Sequence, residues 1–156
     1  MDVDTMERLA AIEAIRQVKA RYFRGVDDRN SALVRSILAE DCVLDYRGCC
    51  TDPASGIDHL PAMNKVMEGR LNWPDARETG GPHMVTVHQG HDPDITVESE
   101  TAASGIWAFT DRLFLPPGGP FTRLTGWGRY HETYVRNDEG WKLRTTRIER
   151  LRVEVA

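Results

Sequence analysis

The chain has 156 residues, 40% of them apolar and 28% charged, which excludes a disordered or fibrous protein and fits one globular domain over 1–156. Its net charge of −4 argues against nucleic acid as a partner. No apolar run approaches the ~20 residues of a membrane span. Met1-Asp2-Val3-Asp4 has neither a basic nor an apolar leader pattern, so a cytoplasmic protein is expected.

Asp4 and Glu7 form a loose capping pair. Apolar residues then recur at Met6, Leu9, Ile12, Ile15, Val18, Tyr22 and Val26, which predicts a long first helix. Asp27 to Ser31 interrupts it. A second short helix follows, with Ser31 as its expected N-cap and Leu33, Val34, Ile37 and Leu38 on one face.

From Cys42 the period changes to two, and Cys42, Leu44 and Tyr46 share one face of a strand. Residues 57–71 carry Leu60, Met63, Val66 and Met67 at spacings that suit a short helix, and 72–82 read as loop. The second half predicts strands over 83–89, from Ile95, over 101–115, over 121–136 and over 141–155. Asp92-Pro93-Asp94 is expected to be a turn, and Asn137 to Gly140 another. Helices first and consecutive strands afterwards predict an α+β fold: a curved, mostly antiparallel sheet wrapped around the long N-terminal helix as a cone-shaped barrel. Its open end is a natural apolar pocket.

Cys42, Cys49 and Cys50 form neither a disulfide framework nor a zinc-ligand spacing, so reduced thiols are expected. His83, His88 and His91 lie close in sequence. Alternation along a strand sets His88 opposite the other two, so a single histidine used as acid or base is favoured over a metal site. Gly126-Trp127-Gly128 lacks the third glycine of a dinucleotide fingerprint and lies within a strand pattern, where a bulge or bend is expected.

Several segments together carry a family resemblance. Ala20 to Asp27, Ala39-Glu40-Asp41 and the hairpin Tyr134 to Leu143 resemble SnoaL-like proteins of the nuclear transport factor two superfamily. Within it, His88 to Thr101 and Gly105 to Leu113 are most similar to the bile-acid 7α-dehydratases. This resemblance implies catalytic roles for Tyr22, Asp27, His88 and Arg150. Tyr46 matches a catalytic tyrosine position of the scytalone dehydratases, which share the fold. It also implies a homo-oligomer, with a trimer preferred.

These residue types suit elimination of water. His88 can take a proton, Asp27 can hold its tautomer, Tyr22 can donate to a developing enolate oxygen, and Arg150 can orient an acidic group or hold Asp27. No metal or organic cofactor is needed when the substrate carries its own activating carbonyl. Tyr46, Trp107, Trp127 and Tyr130 are candidate substrate-binding residues for a hydrophobic, steroid-like compound. Isomerase or cyclase chemistry uses the same acid–base parts. A non-catalytic binding module, such as the small subunit of a ring-hydroxylating dioxygenase, uses the same fold.

Overall fold

The computed structural model describes residues 3–75 and 83–156. Helix α1 runs Thr5–Asp27 and begins where the Asp4 carboxylate accepts hydrogen bonds from the backbone N–H groups of Met6 and Glu7. Its buried face carries Ala11, Ile15, Val18, Lys19, Tyr22 and Phe23, while Met6 and Leu9, of the same apolar series, remain exposed. Helix α2 runs Ser31–Ile37. Its cap is Asn30, whose side chain accepts from Leu33 N, and not Ser31, whose hydroxyl donates instead to Pro74 O. The helices pack so closely that a Cβ on Gly25 would lie 2.7 Å from Val34 Cγ2.

Among the described residues, six strands form one sheet in the order β2-β1-β6-β5-β4-β3. They are β1 Leu38–Asp45, β2 Val66–Glu68, β3 Val85–Val97, β4 Ala102–Phe114, β5 Arg123–Asn137 and β6 Gly140–Val155. Among these described strands only β1 and β6 pair in parallel, so the sheet is mixed but mostly antiparallel. Its edges, β2 and β3, do not pair with each other; the sheet curves over α1 as an open cone and not a closed barrel.

Two further local expectations are corrected. Residues 57–71 hold no α-helix. Short 3₁₀ turns at Pro61–Met63 and Arg70–Asn72 flank β2, which pairs with β1 through Leu44↔Met67. The helical spacing of these apolar residues loses to pairing with an otherwise open edge. Asp92-Pro93-Asp94 is not a turn either. Strand β3 runs through it with a bulge between His91 and Asp94, and Asp92 adopts a φ of 34°. Proline is tolerated there because β3 is an edge strand. A bulge does fall beside Gly126-Trp127-Gly128, but its extra residue, Leu151, lies on the partner strand β6, and β5 itself stays in regular register with β4.

The core lies between α1 and the concave face. Ile15, Val34, Leu38, Leu44, Tyr130 and Leu143 are almost fully buried there, each large aliphatic chain contributing roughly 1.5–3 kcal/mol. One ion pair is buried with them. Lys19 Nζ lies 2.5 Å from Glu132 Oε1, with side-chain exposures of 1% and 0%. The ammonium also lies 3.4 Å from the centre of the Tyr130 ring. Burial draws Lys19 down to about 8, and Glu132 opposes that shift. Glu132 also accepts from Thr146 and Tyr134. Among the described residues, no helix is long and apolar enough to cross a membrane.

Candidate active site

A cavity of about 380 Å³ opens between the end of α1, the concave sheet face and the 46–74 segment. That is within the ~300–1,000 Å³ of small-molecule sites. Tyr22, Tyr46, His88, Tyr130 and Arg150 all line it. Its apolar wall is completed by Val26, Met63, Met67, Trp73, Leu113 and Ile148.

Asp27 is the last residue of α1 and sits behind His88. Its Oδ1 lies 2.6 Å from His88 Nδ1, and its Oδ2 accepts from the His88 backbone N–H at 3.0 Å. The Thr86 hydroxyl donates to Oδ1 at 2.9 Å. Thr86 and His88 are two apart on β3 and therefore share a face. Partial burial works against ionisation of Asp27. The hydrogen bonds from His88 and Thr86 outweigh it and hold the carboxyl below its ordinary value. With Nδ1 directed at Asp27, Nε2 is the nitrogen left for other chemistry. Phe23 stacks on the ring, with an interplanar angle of 13°, and fixes its plane. His83 and His91, of opposite parity, are exposed.

On the far side of His88, Asp111 Oδ2 lies 4.0 Å from Nε2. Asp111 is clamped by both terminal nitrogens of Arg150, Nη1 and Nη2, which donate to it at 2.8 and 2.9 Å, and both side chains are about 5% exposed or less. Arg150 therefore holds Asp111 and not Asp27. Its Nε donates to Cys49 O, and its guanidinium lies over the Phe109 ring. Gly126 makes room for the clamp, since a Cβ there would lie 2.2 Å from Arg150 Nη1.

The Tyr22 and Tyr46 hydroxyls are 2.7 Å apart. Burial raises both phenols well above their ordinary range, and it raises Tyr130 too, so all three remain proton donors at neutral pH. The cavity thus brings together a histidine–aspartate pair, a second carboxylate neutralised by arginine, and a tyrosine pair. Among the described residues, no three His, Cys, Asp or Glu side chains are grouped to share a metal ion.

Trp107 and Trp127 do not line this cavity. Trp107 is buried beneath α1, where its indole N–H donates to Tyr134 OH. Trp127 is half-buried, and its odd parity within β5 turns it away from Gly126, Gly128 and Tyr130. Asp111 was missed, although its signal was present: it alternates with Trp107, Phe109 and Leu113 and is the one charge on that inward face of β4. Trp73 lies in an irregular segment with no periodic signal.

A model of the SnoaL-like domain matches residues 7–147 of the chain. Among solved structures, the chain is similar to a type 2 hexachlorocyclohexane dehydrochlorinase, with a TM-score of 0.76 at 19% identity, covering 98% of this chain and 93% of that one. A candidate scytalone dehydratase from Novosphingobium aromaticivorans gives the same TM-score of 0.76 and 19% identity, over 98% and 92% of the two chains. A nuclear transport factor 2-like superfamily protein from Salmonella enterica matches with a TM-score of 0.67 at 12% identity, over 92% of each chain. At these identities the structural matches establish the shared α+β cone.

Proposed function

This chain belongs to the SnoaL-like domain family, and we propose that it is a cofactor-independent lyase of the dehydratase type, acting on a hydrophobic carbonyl compound. The observation that carries this reading is the Asp27–His88 pair, 2.6 Å apart, with the histidine facing an apolar cavity. His88 Nε2 takes the proton from a carbon next to the substrate carbonyl, and Asp27 stabilises the imidazolium that forms. A hydroxyl of the Tyr22–Tyr46 pair donates to the carbonyl oxygen as enolate charge grows. The imidazolium then returns its proton to the departing hydroxyl, and water and a conjugated double bond result. Asp111, neutralised by Arg150, sits where it stabilises positive charge on Nε2.

The likeness of His88 to Thr101 to the bile-acid 7α-dehydratases supports a rigid, steroid-like substrate. The mostly apolar cavity wall supports it as well. Assembly as a homotrimer is part of the proposal. It would cover exposed Val87, Ile106 and Leu151, and light scattering that gives a stable monomer at micromolar concentration argues against it.

The test is a panel of polycyclic β-hydroxy carbonyl compounds, followed by absorbance of the conjugated product and by its mass. Turnover by the parent should fall ~10²–10⁴-fold in His88→Ala. A His88→Ala protein that dehydrates the same compound at the parent rate refutes the role. A product of unchanged mass would identify isomerisation, which the same tyrosine pair and base support.

A further inference from the structure

Two cysteines stand in the wall of the cavity and take no part in the chemistry above. Cys49 and Cys50 are both buried, both line the cavity, and their sulfurs are 3.7 Å apart. Cys42, the third cysteine, is buried elsewhere and does not line it. We propose that Cys49 and Cys50 are a redox modification site: a small peroxide entering the cavity joins them in a vicinal disulfide that switches the site off reversibly.

The geometry favours this pair over any other. The side chains already bring the sulfurs together, so closure requires their approach but no movement of a distant element. The two sulfurs share a hydrogen bond that either thiol can donate; the contact with Cys50 holds the Cys49 thiol below its ordinary value despite burial, and Arg150, whose Nε donates to Cys49 O, acts in the same direction. Cys50 is pushed up, first by its bond to Cys49 and then by burial. Cys49 is thus the attacking sulfur and Cys50 the resolving one. The Cys49 thiolate attacks one peroxide oxygen, the O–O bond breaks, and one water leaves after protonation. Cys50 sulfur then displaces the oxygen of the Cys49 sulfenic acid as a second water. Two electrons pass from the sulfurs to the peroxide, and the two thiol protons leave in the waters.

Closure reaches the catalytic groups through the backbone. Adjacent Cα atoms are ~3.8 Å apart, less than the ~4.4–6.8 Å that an ordinary disulfide spans, so the ring distorts the Cys49–Cys50 peptide and stays easily reduced. The Cys49 carbonyl is the acceptor for Arg150 Nε at 2.5 Å. The Cys49 N–H donates to Tyr46 O at 3.0 Å. Turning this peptide therefore withdraws a support from the Arg150–Asp111 clamp and shifts Tyr46.

The experiment treats the whole protein with hydrogen peroxide and counts free thiols, records intact mass, maps peptides and follows thermal unfolding. None of these readouts depends on a substrate, so failure here is separate from failure of the lyase reading. Thiols should fall from three to one, the chain should become lighter by two hydrogens, and the link should map to Cys49–Cys50. The unfolding midpoint should drop and return on reduction with dithiothreitol. Cys42→Ala should still lose two thiols, whereas Cys49→Ala and Cys50→Ala should show neither the mass loss nor the reversible change. Three thiols persisting, gain of oxygen in place of loss of hydrogen, or a link that needs Cys42 would each overturn the proposal. So would a disulfide that leaves the midpoint unmoved.

Discussion

Lys19→Met tests the electrostatic floor beneath the cavity. The substitution keeps an unbranched chain of similar length but removes the cation 2.5 Å from Glu132. The carboxylate keeps Thr146 and Tyr134 as donors, yet it remains 0% exposed and has no counter-charge. Breaking a buried pair from one side costs ~3–5 kcal/mol, and the two remaining donors place the expected loss near the lower figure. The cation held over Tyr130 is lost as well, which costs about 0.5–2 kcal/mol at the general scale of such contacts. Against a domain stability of ~5–15 kcal/mol this is a large fraction. In urea, with a slope of ~2 kcal/mol/M, the midpoint should fall by roughly 1.8–2.5 M at fixed chain concentration and unchanged slope. Lys19→Met with Glu132→Gln should recover most of the loss, because the uncompensated charge is gone, and the cycle isolates the pair. If Lys19→Met alone unfolds within ~1 kcal/mol of the parent, the buried pair is not the constraint argued for here.

Two further perturbations probe the site. Gly126→Ala should push Arg150 off Asp111, since its Cβ would lie 2.2 Å from Nη1 and 2.5 Å from Asp111 Oδ1; turnover should fall while circular dichroism is retained, and full activity would show that the clamp is dispensable. Asp27 is held below its ordinary value of 3.8 in the native state, so its contribution to stability is fully present above that pH and is lost as pH falls through the lower native value. The gap in unfolding midpoint between the parent and Asp27→Asn should therefore narrow below about pH 4, and a gap that widens there would reverse the sign argued for Asp27.

Local pattern was enough for the elements that obey one period along their length. The spacing from Ile15 to Tyr22 placed α1 on the sheet, whereas Trp127 and Tyr130, both taken as substrate-binding candidates, have opposite parity in the alternation along β5 and only Tyr130 faces inward. The same alternation separated His88 from His83 and His91. The glycines of Gly126-Trp127-Gly128 pointed to a bulge in their own strand, whereas the extra residue, Leu151, lies opposite them on β6. Where two local preferences competed, the pattern misled. The 57–71 segment has helical spacing but lies beside the open edge of β1, and pairing satisfies backbone groups that a short isolated helix leaves bare. Asn30 and Ser31 are both good caps, and Ser31 was drawn away by a carbonyl 43 positions distant.

The site itself depends on contacts between residues far apart in the chain. Asp27 and His88 are 61 positions apart, and Asp111 and Arg150 are 39 apart. Family likeness named three of these four side chains, but no period in the sequence says which carboxylate Arg150 meets. That choice follows from strand register: Asp111 lies opposite Gly126, and Gly126 opposite Val153, beside the bulge that turns Arg150 inward. One missing Cβ at Gly126 opens the space for the guanidinium, and Trp127, one residue on, is turned away from it. Residue types and periods determined which chemistry was available; the curvature and register of the sheet decided which groups meet, because side-chain direction along a strand reverses with every single-residue shift.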